Sequence, residues 1–176
     1  KINERTRELV TLQYNTYNRS LVPLMHQHGI VVIDAFEDLS ESQAAFVDRY
    51  FEDNVYPVLT PMAVDASRPF PLIRNKTLNI AALLSKKKGK AEKEEIEFAT
   101  VQVPSVLPRL VHIPSEDGNE KTFILLEQVI ERNIDKLFLN YDVLCAYPYR
   151  VMRNADLSID EDEAADLLKE IQKQLK

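Results

Sequence analysis

Four prolines within residues 57–71 constrain the fold of this chain more than any other feature of its sequence. Proline fixes the backbone angle φ and removes an N–H donor, so this segment cannot form a helix interior or a central strand. Each residue before a proline is also driven toward extended geometry. We therefore predict that this proline-rich segment forms a rigid connector between a helix and a sheet. The prolines are Pro57, Pro61, Pro69 and Pro71.

The chain before this connector has a helical pattern. Residues 4–28 predict one long helix, because apolar side chains recur at alternating steps of four and three. Pro23 is expected to bend this helix, and Gly29 is expected to end it. The helix needs partner helices that the chain does not supply, and we expect them upstream of Lys1. Its stripe consists of Val10, Tyr14, Tyr17, Leu21, Leu24 and His28.

A short strand and a second helix are predicted next. Residues 30–33 form an apolar run typical of a strand. Ser40 and Gln43 have the spacing of a capping box, so a helix is predicted over residues 41–55, ended by Pro57. The buried face of this helix is expected to carry Ala44, Val47, Phe51 and Val55.

The pattern after the connector predicts an α+β fold, in which an antiparallel sheet is covered by helices and preceded by the long N-terminal helix. Residues 77–84 and 97–103 predict an antiparallel pair around a solvated, charged loop at 86–95. Further strands are predicted near residues 109–113, 121–123 and 145–152, a helix at 125–138, and a turn at 116–119.

A last helix is predicted to begin near Ser158 or Asp160, where acidic residues suit the positive end of the helix dipole. Its apolar face would carry Ala164, Leu167, Leu168, Ile171 and Leu175. The chain lacks an initiator methionine and ends within this helical pattern, so we expect a piece of a longer protein.

The composition excludes several classes of function. The formal net charge of −6 argues against general nucleic-acid binding, which needs clustered Lys and Arg. Cys145 is the single cysteine, so an internal disulfide and a thiolate metal cage are both excluded. No apolar run is long enough to cross a bilayer, and the low cysteine content favours a cytoplasmic location.

The residues that carry chemistry do not form a recognisable catalytic set. The chain has only three glycines and therefore no glycine-rich phosphate loop. His26 and His28 stand two apart on the first helix, so they cannot share a metal ion. His28 is expected to be a helix-end or packing residue, His112 a core or edge histidine, and Cys145 a small buried apolar residue. We predict no catalytic residue, no bound cofactor and no metal site within this chain.

Basic residues around the proline connector are the candidate anion site. Arg68, Arg74 and Lys76 flank the rigid segment 69–71, and guanidinium groups suit the oxygens of a phosphate chain. The alternative, in which these are surface charges paired with carboxylates, stays open. Arg150 and Arg153 are three apart in a predicted strand, so they should point to opposite faces.

Several segments resemble the bacterial polyphosphate kinase family, in the order in which that family has them. They are YFEDNVYPVLTPMAVDASRPFPLIRNKTLNIA at 50–81, VPSVLPR at 103–109, FILLE at 123–127 and YRVMRNAD at 149–156. Each segment alone is a weak signal, but their common order along most of the chain is a strong one.

The resemblance implies two units: residues 1–36 as the end of an N-terminal helical domain, and residues 37–176 as the head, or middle, domain. Intact family members transfer the terminal phosphate of ATP reversibly to polyphosphate, through a phosphohistidine and with magnesium. The resemblance assigns the catalytic histidines and most nucleotide contacts to other domains, so this segment would be inactive alone and would serve assembly and tunnel shaping.

The implied partners are the other domains of the same polypeptide, further copies in a dimer or tetramer, and polyphosphate, with neither nucleic acid nor a transmembrane segment. The intact enzyme would be cytoplasmic, with membrane association left open. The competing hypothesis is a stand-alone, non-catalytic module of the same fold that binds anions or proteins. An independent enzyme with an unrecognised site is the third alternative.

Overall fold

Two small β-sheets, with helices packed against them, form the core of this chain. The structure is a computed structural model that describes residues 1–64, 71–86, 96–115 and 120–152. Helices, an antiparallel four-stranded sheet and a second small sheet together confirm the predicted α+β fold class. The predicted charged loop beyond Lys86, the turn at 116–119 and the last helix lie outside the described residues.

The first sheet has three strands in the order β1-β6-β5. β1 (Ile30–Ile33) runs parallel to β6 (Lys121–Leu125), and β5 (Leu110–Ile113) runs antiparallel to it. Their alternate side chains fill the core, with Ile33, Val111, Ile113 and Ile124 buried. β1 lies before residue 36 in the sequence, yet it belongs to this sheet. The division into an N-terminal unit of residues 1–36 and a second unit of residues 37–176 stays a prediction.

The second sheet is antiparallel and has the order β2-β4-β3-β7. Its strands are β2 (Pro61–Val64), β3 (Leu78–Lys86), β4 (Ile96–Gln102) and β7 (Tyr141–Arg150). The predicted pairing of residues 77–84 with 97–103 is confirmed as β3 with β4. β7 begins before the predicted residue 145, and a β-bulge shifts its register so that Leu83 faces Cys145 and Leu84 faces Val143.

The N-terminal helix runs as α1 (Ile2–Thr16), a π-helical turn (Tyr17–Leu21) and α2 (Val22–Gln27). The wider turn lies just before Pro23, whose missing N–H would otherwise bond to the carbonyl of Arg19. The helix thus changes type next to Pro23, and the predicted bend itself stays a prediction. Gly29 follows with φ of 70°, a conformation that glycine adopts without steric cost, and β1 begins at once.

The second helix, α3 (Glu41–Tyr50), begins at the predicted capping box. The Ser40 hydroxyl accepts from the Gln43 N–H, and the Gln43 side chain accepts from the Ser40 N–H. A π-helical turn (Phe51–Val55) extends α3, so the predicted face is continuous over both segments. Val47, Phe51 and Val55 are fully buried, and Ala44 is partly buried.

The third helix, α4 (Leu126–Arg132), is shorter than predicted. It ends at Asn133, whose backbone leaves the helical region, and a 3₁₀ turn (Ile134–Leu137) follows. The Asn133 side chain donates to the Val129 carbonyl at 3.1 Å, which satisfies a carbonyl near the helix end. The apolar residues of the predicted helix are nonetheless inside: Leu126, Val129, Ile130, Ile134 and Phe138 are buried, and Leu137 is half-buried.

Candidate functional site

The turn that leads into β3 is held in a defined conformation. Lys76 has φ of 62°, in the left-handed region that non-glycine residues rarely adopt. Its N–H donates to the carbonyl of Val151 at 2.8 Å, and the Thr77 hydroxyl donates to the carbonyl of Arg74 at 2.9 Å. Ile73 is buried and anchors the start of the turn. The backbone that carries Arg74 and Lys76 is therefore fixed from both sides.

A third cation joins these two at the same end of the sheet. β7 pairs with β3 so that Arg150 lies opposite Leu78, next to the hydrogen bond between Lys76 and Val151. All three basic side chains are exposed, and none takes part in the ion pairs found among the described residues. We call Arg74, Lys76 and Arg150 the basic cluster.

The basic cluster contains two of the three residues predicted from the sequence. Arg68 lies outside the described residues. Arg150 was not predicted as a partner of Arg74 and Lys76, because only the pairing of β3 with β7 brings it beside them. The strand predicted near residues 145–152 includes Arg150, but no local signal identifies the strand that lies beside it.

Two planar guanidinium groups and one ammonium group can bind several phosphate oxygens at once. Three positive charges at one end of the sheet exceed what one carboxylate would balance, so the arrangement suits an extended polyanion better.

A second group of charges joins α3 to α4 at the partly exposed edge of the core. Arg132 donates from Nε to Oδ1 of Asp48 at 2.8 Å and from its terminal nitrogen to Oδ2 at 3.0 Å. The buried Asn133 amide also donates to Asp48 Oδ1, at 3.2 Å. The hydrogen bond from Arg132 is the largest cause that lowers the pKa of Asp48. One helical turn later, Lys136 donates to Glu52 at 2.8 Å. These contacts are structural, since every group has a protein partner.

An ion pair also fixes the junction between β5 and α4. The Arg109 guanidinium donates to both carboxylate oxygens of the buried Glu127, and the Leu126 N–H donates to the Arg109 carbonyl at 2.8 Å. The hydrogen bond to Glu127 raises the pKa of Arg109. Burial, helped by the Glu127 charge, raises the pKa of Glu131 one turn along α4.

The histidines and the cysteine lie apart from the basic cluster. His28 is at the end of α2, as predicted, and His26 is exposed on that helix. His112 is exposed on the edge strand β5, where its ring contacts Phe123 edge-on with centroids 5.3 Å apart. Cys145 is half-buried on β7. Within the four described ranges, no three His, Cys, Asp or Glu side chains are grouped so as to hold a metal ion.

The N-terminal helix has no buried residue in any of its three segments. Of its predicted apolar stripe, Val10, Tyr14, Tyr17, Leu21 and Leu24 are exposed. We call these five residues the arm stripe. Among the described ranges, no helix is long and apolar enough to cross a membrane.

Comparison with known proteins identifies the family. Residues 42–176 match the model of the polyphosphate kinase middle domain. Curated polyphosphate kinases align with almost the whole chain: that of Lactiplantibacillus plantarum is 51% identical over 99% of this chain, and that of Bacillus anthracis is 45% identical over 100%. The chain spans about a quarter of the length of these relatives, namely 23% and 25%.

A solved structure shares the fold. The crystal structure of polyphosphate kinase from Porphyromonas gingivalis superposes with a TM-score of 0.75 at 27% sequence identity. The match covers 86% of this chain and 25% of that one.

Proposed function

Because this chain belongs to the polyphosphate kinase family, we propose that it is the middle segment of an enzyme that transfers the terminal phosphate of ATP reversibly to polyphosphate. The phosphohistidine, ATP and Mg²⁺ are assigned to parts of a longer polypeptide outside this segment. The segment itself contributes to subunit assembly and to the wall of the tunnel that guides polyphosphate. We propose a cytoplasmic location and a dimer or tetramer for the intact enzyme.

The observation that carries the role in guiding polyphosphate is the basic cluster. Arg74 and Lys76 project from a hydrogen-bonded turn, and Arg150 reaches the same place from the end of β7. A polyphosphate chain carries regularly spaced negative oxygens, so three exposed cations can bind successive phosphates without enclosing the chain. Because the three side chains are exposed and bind mainly by charge, a growing polymer can slide along the cluster. The wall of a tunnel requires such movement.

The observation that supports a role in assembly is the arm stripe. The helix has no fully buried residue, and only Val22 and Met25 near its end are half-buried. Helices gain most of their stability from packing an apolar face, so this one lacks most of the packing that would stabilise it. We propose that the stripe packs against other helices of the same polypeptide, in a helical unit that ends near residue 36.

The role of the basic cluster can be tested in the intact enzyme by replacing Arg74, Lys76 and Arg150 together with Glu. We expect KM for long polyphosphate to rise about tenfold, since each lost charge contact is worth roughly 0.5 kcal/mol, while KM for ATP stays unchanged. Arg49→Glu is the control, because Arg49 is also exposed, on α3, but lies outside the cluster.

Two results would overturn parts of the proposal. An unchanged KM for polyphosphate in the triple variant would remove the basic cluster from the tunnel wall. Synthesis of polyphosphate from ATP and Mg²⁺ by the purified 176-residue chain would show that the chemistry lies within this segment. A stand-alone binding module, the alternative, predicts that the reading frame encoding this chain contains no further catalytic domain.

A further inference from the structure

Lys76 has a backbone conformation that costs energy and therefore has to be held by its surroundings. Its φ of 62° lies in the left-handed region, which glycine and asparagine adopt far more readily than lysine. A residue other than glycine keeps such a conformation only where its contacts impose it, and residues of this kind cluster at functional sites. The contacts that close the turn therefore determine how Lys76 is presented in the basic cluster.

Two hydrogen bonds from one residue close the turn. The N–H and the hydroxyl of Thr77 both donate to the carbonyl of Arg74, at 3.4 Å and 2.9 Å respectively. The longer of the two exceeds the usual range for an N–H···O hydrogen bond, whereas the hydroxyl bond has an ordinary length. The side chain of Thr77 thus contributes more than its backbone to closing the turn between Arg74 and β3.

A buried amide at the start of β3 fixes the direction of this hydroxyl. Asn79 is only 1% exposed, and its Nδ2 donates to the Thr77 carbonyl at 3.0 Å and to the Thr77 hydroxyl oxygen at 3.2 Å. A hydroxyl has a single hydrogen, so an oxygen that accepts from Asn79 keeps this hydrogen for the Arg74 carbonyl. Consecutive hydrogen bonds of this kind strengthen one another. We call the bonds from Asn79 through Thr77 to Arg74 the hydrogen-bond chain.

The third member of the basic cluster is held by a separate contact. Arg150 follows Tyr149 on β7, and the Tyr149 hydroxyl lies 2.7 Å from the hydroxyl of the buried Thr100 on β4. This contact crosses β3, which lies between the two strands, and involves no group of the hydrogen-bond chain. Loss of the hydrogen-bond chain would therefore loosen Arg74 and Lys76 and leave Arg150 in place.

We propose that Asn79 and Thr77 are positioning residues for polyphosphate binding, because they hold Arg74 and Lys76 in a fixed place relative to Arg150. A polyphosphate contacts more than one of these cations at once, so cations that are ordered beforehand lose less conformational entropy when it binds. Asn79 is buried and uncharged, so it acts through the turn and not through contact with the ligand. The inference rests on the proposed function of the basic cluster.

The intact enzyme tests this role with Thr77→Val, which keeps the branched shape of the side chain and removes its hydroxyl. Without that hydrogen bond the left-handed conformation of Lys76 becomes less populated, so we expect KM for polyphosphate to rise about threefold, with kcat and KM for ATP unchanged. Thr77→Ser keeps the hydroxyl and should retain the parent KM. Ser40→Ala is the control for a general loss of stability, because it removes hydrogen bonds at the start of α3, and KM for polyphosphate should not change.

Two further measurements on the intact enzyme test the hydrogen-bond chain itself. Asn79→Ala should also raise KM for polyphosphate, and the double variant with Thr77→Val should be no worse than the more impaired single variant, since either change breaks the same chain. Amide hydrogen exchange, read by mass spectrometry in peptides that contain residues 74–78, should be faster in Thr77→Val than in the parent and unchanged in the peptides of α3.

The results separate a failure of this inference from a failure of the proposed function. If the triple Glu variant of the basic cluster raises KM for polyphosphate but Thr77→Val does not, the cluster binds polyphosphate and the positioning role is refuted. Equal KM values for Thr77→Val and Thr77→Ser, or additive effects of Thr77→Val and Asn79→Ala, would also refute it. An unchanged KM in the triple variant would overturn the proposed role of the cluster, and the positioning role with it.

Discussion

Replacing Asp48 with Ala should destabilise the fold well beyond what a surface ion pair would contribute. The Asp48 carboxylate holds two partners at once: the Arg132 guanidinium, through two hydrogen bonds, and the buried amide of Asn133. These bonds connect α3 to the end of α4. The Asp48→Ala variant therefore loses the hydrogen bonds that join two of the helices packed on the core.

The magnitude follows from the two contacts. The side chains of Arg132 and Asp48 are each about a third exposed, so their pair contributes only about 0.5–1 kcal/mol. Asn133 is buried and would be left with an unsatisfied N–H, which costs about 1 kcal/mol more. The expected loss is about 2 kcal/mol, or roughly 4–8 °C in Tm for a chain of this size.

The assay is urea unfolding of the 176-residue chain followed by circular dichroism, with Glu52→Ala and Asp48→Asn as controls. Glu52 pairs with Lys136 in a more exposed place, so its removal should cost no more than about 0.5 kcal/mol. Asp48→Asn keeps a carbonyl acceptor and should lose less than Asp48→Ala. If Asp48→Ala proves no more destabilising than Glu52→Ala, the buried Asn133 contact does not contribute as we argue.

The same pair gives a pH dependence with a defined sign. Because the hydrogen bond from Arg132 holds the folded-state pKa of Asp48 below its ordinary value of 3.8, the stabilisation is fully present above that value. It is lost as the pH falls through the lower folded-state pKa. The difference in unfolding free energy between parent and Asp48→Ala should therefore be constant from pH 7 to about pH 5 and shrink in stronger acid.

Three further substitutions test other parts of the fold. Ser40→Ala removes the capping box and should cost about 1 kcal/mol in urea unfolding. Ser42→Ala removes only the exposed contact between the Ser42 and Ser40 hydroxyls and should cost less; equal effects would refute the role of the cap. Phe51→Ala empties a fully buried site and should cost about 3–5 kcal/mol, and a loss under 1 kcal/mol would contradict its place in the core. Burial and the Glu127 charge raise the pKa of Glu131, so stability should fall as the pH rises from the unfolded-state value of 4.5 through the higher folded-state value. Glu131→Gln should consequently be more stable than the parent at pH 7 and lose that advantage below about pH 4; a destabilised variant at pH 7 would refute the assigned cause.

The features that could be predicted from the sequence are those set by neighbouring residues. The capping box at Ser40 and the buried face at Val47, Phe51 and Val55 depend on spacings within one helix. The pairing of β3 with β4 follows from two adjacent runs with strand character. The local rules of helix caps and strand periodicity are sufficient for these elements.

The features that could not be predicted depend on contacts between distant parts of the chain. The parallel pairing of β1 with β6, which divides the strands into two sheets, joins residues near 30 to residues near 121. The end of α4 depends on Asn133, whose amide binds Asp48 on another helix. Arg150 joins the basic cluster only through the register of β7 on β3, which a β-bulge at Leu83 and Leu84 adjusts. No local pattern carries such information.

The measurement that tests the proposed role of this segment most directly is a polyphosphate titration of the isotope-labelled 176-residue chain, followed residue by residue by heteronuclear NMR at low and at moderate salt. We predict that the largest shifts fall on Arg74, Lys76 and Arg150 and that they persist, weakened, at the higher salt, because three cations act on one polymer. The absence of shifts, or shifts confined to residues 86–95 and abolished by salt, would contradict a role of the basic cluster in guiding polyphosphate.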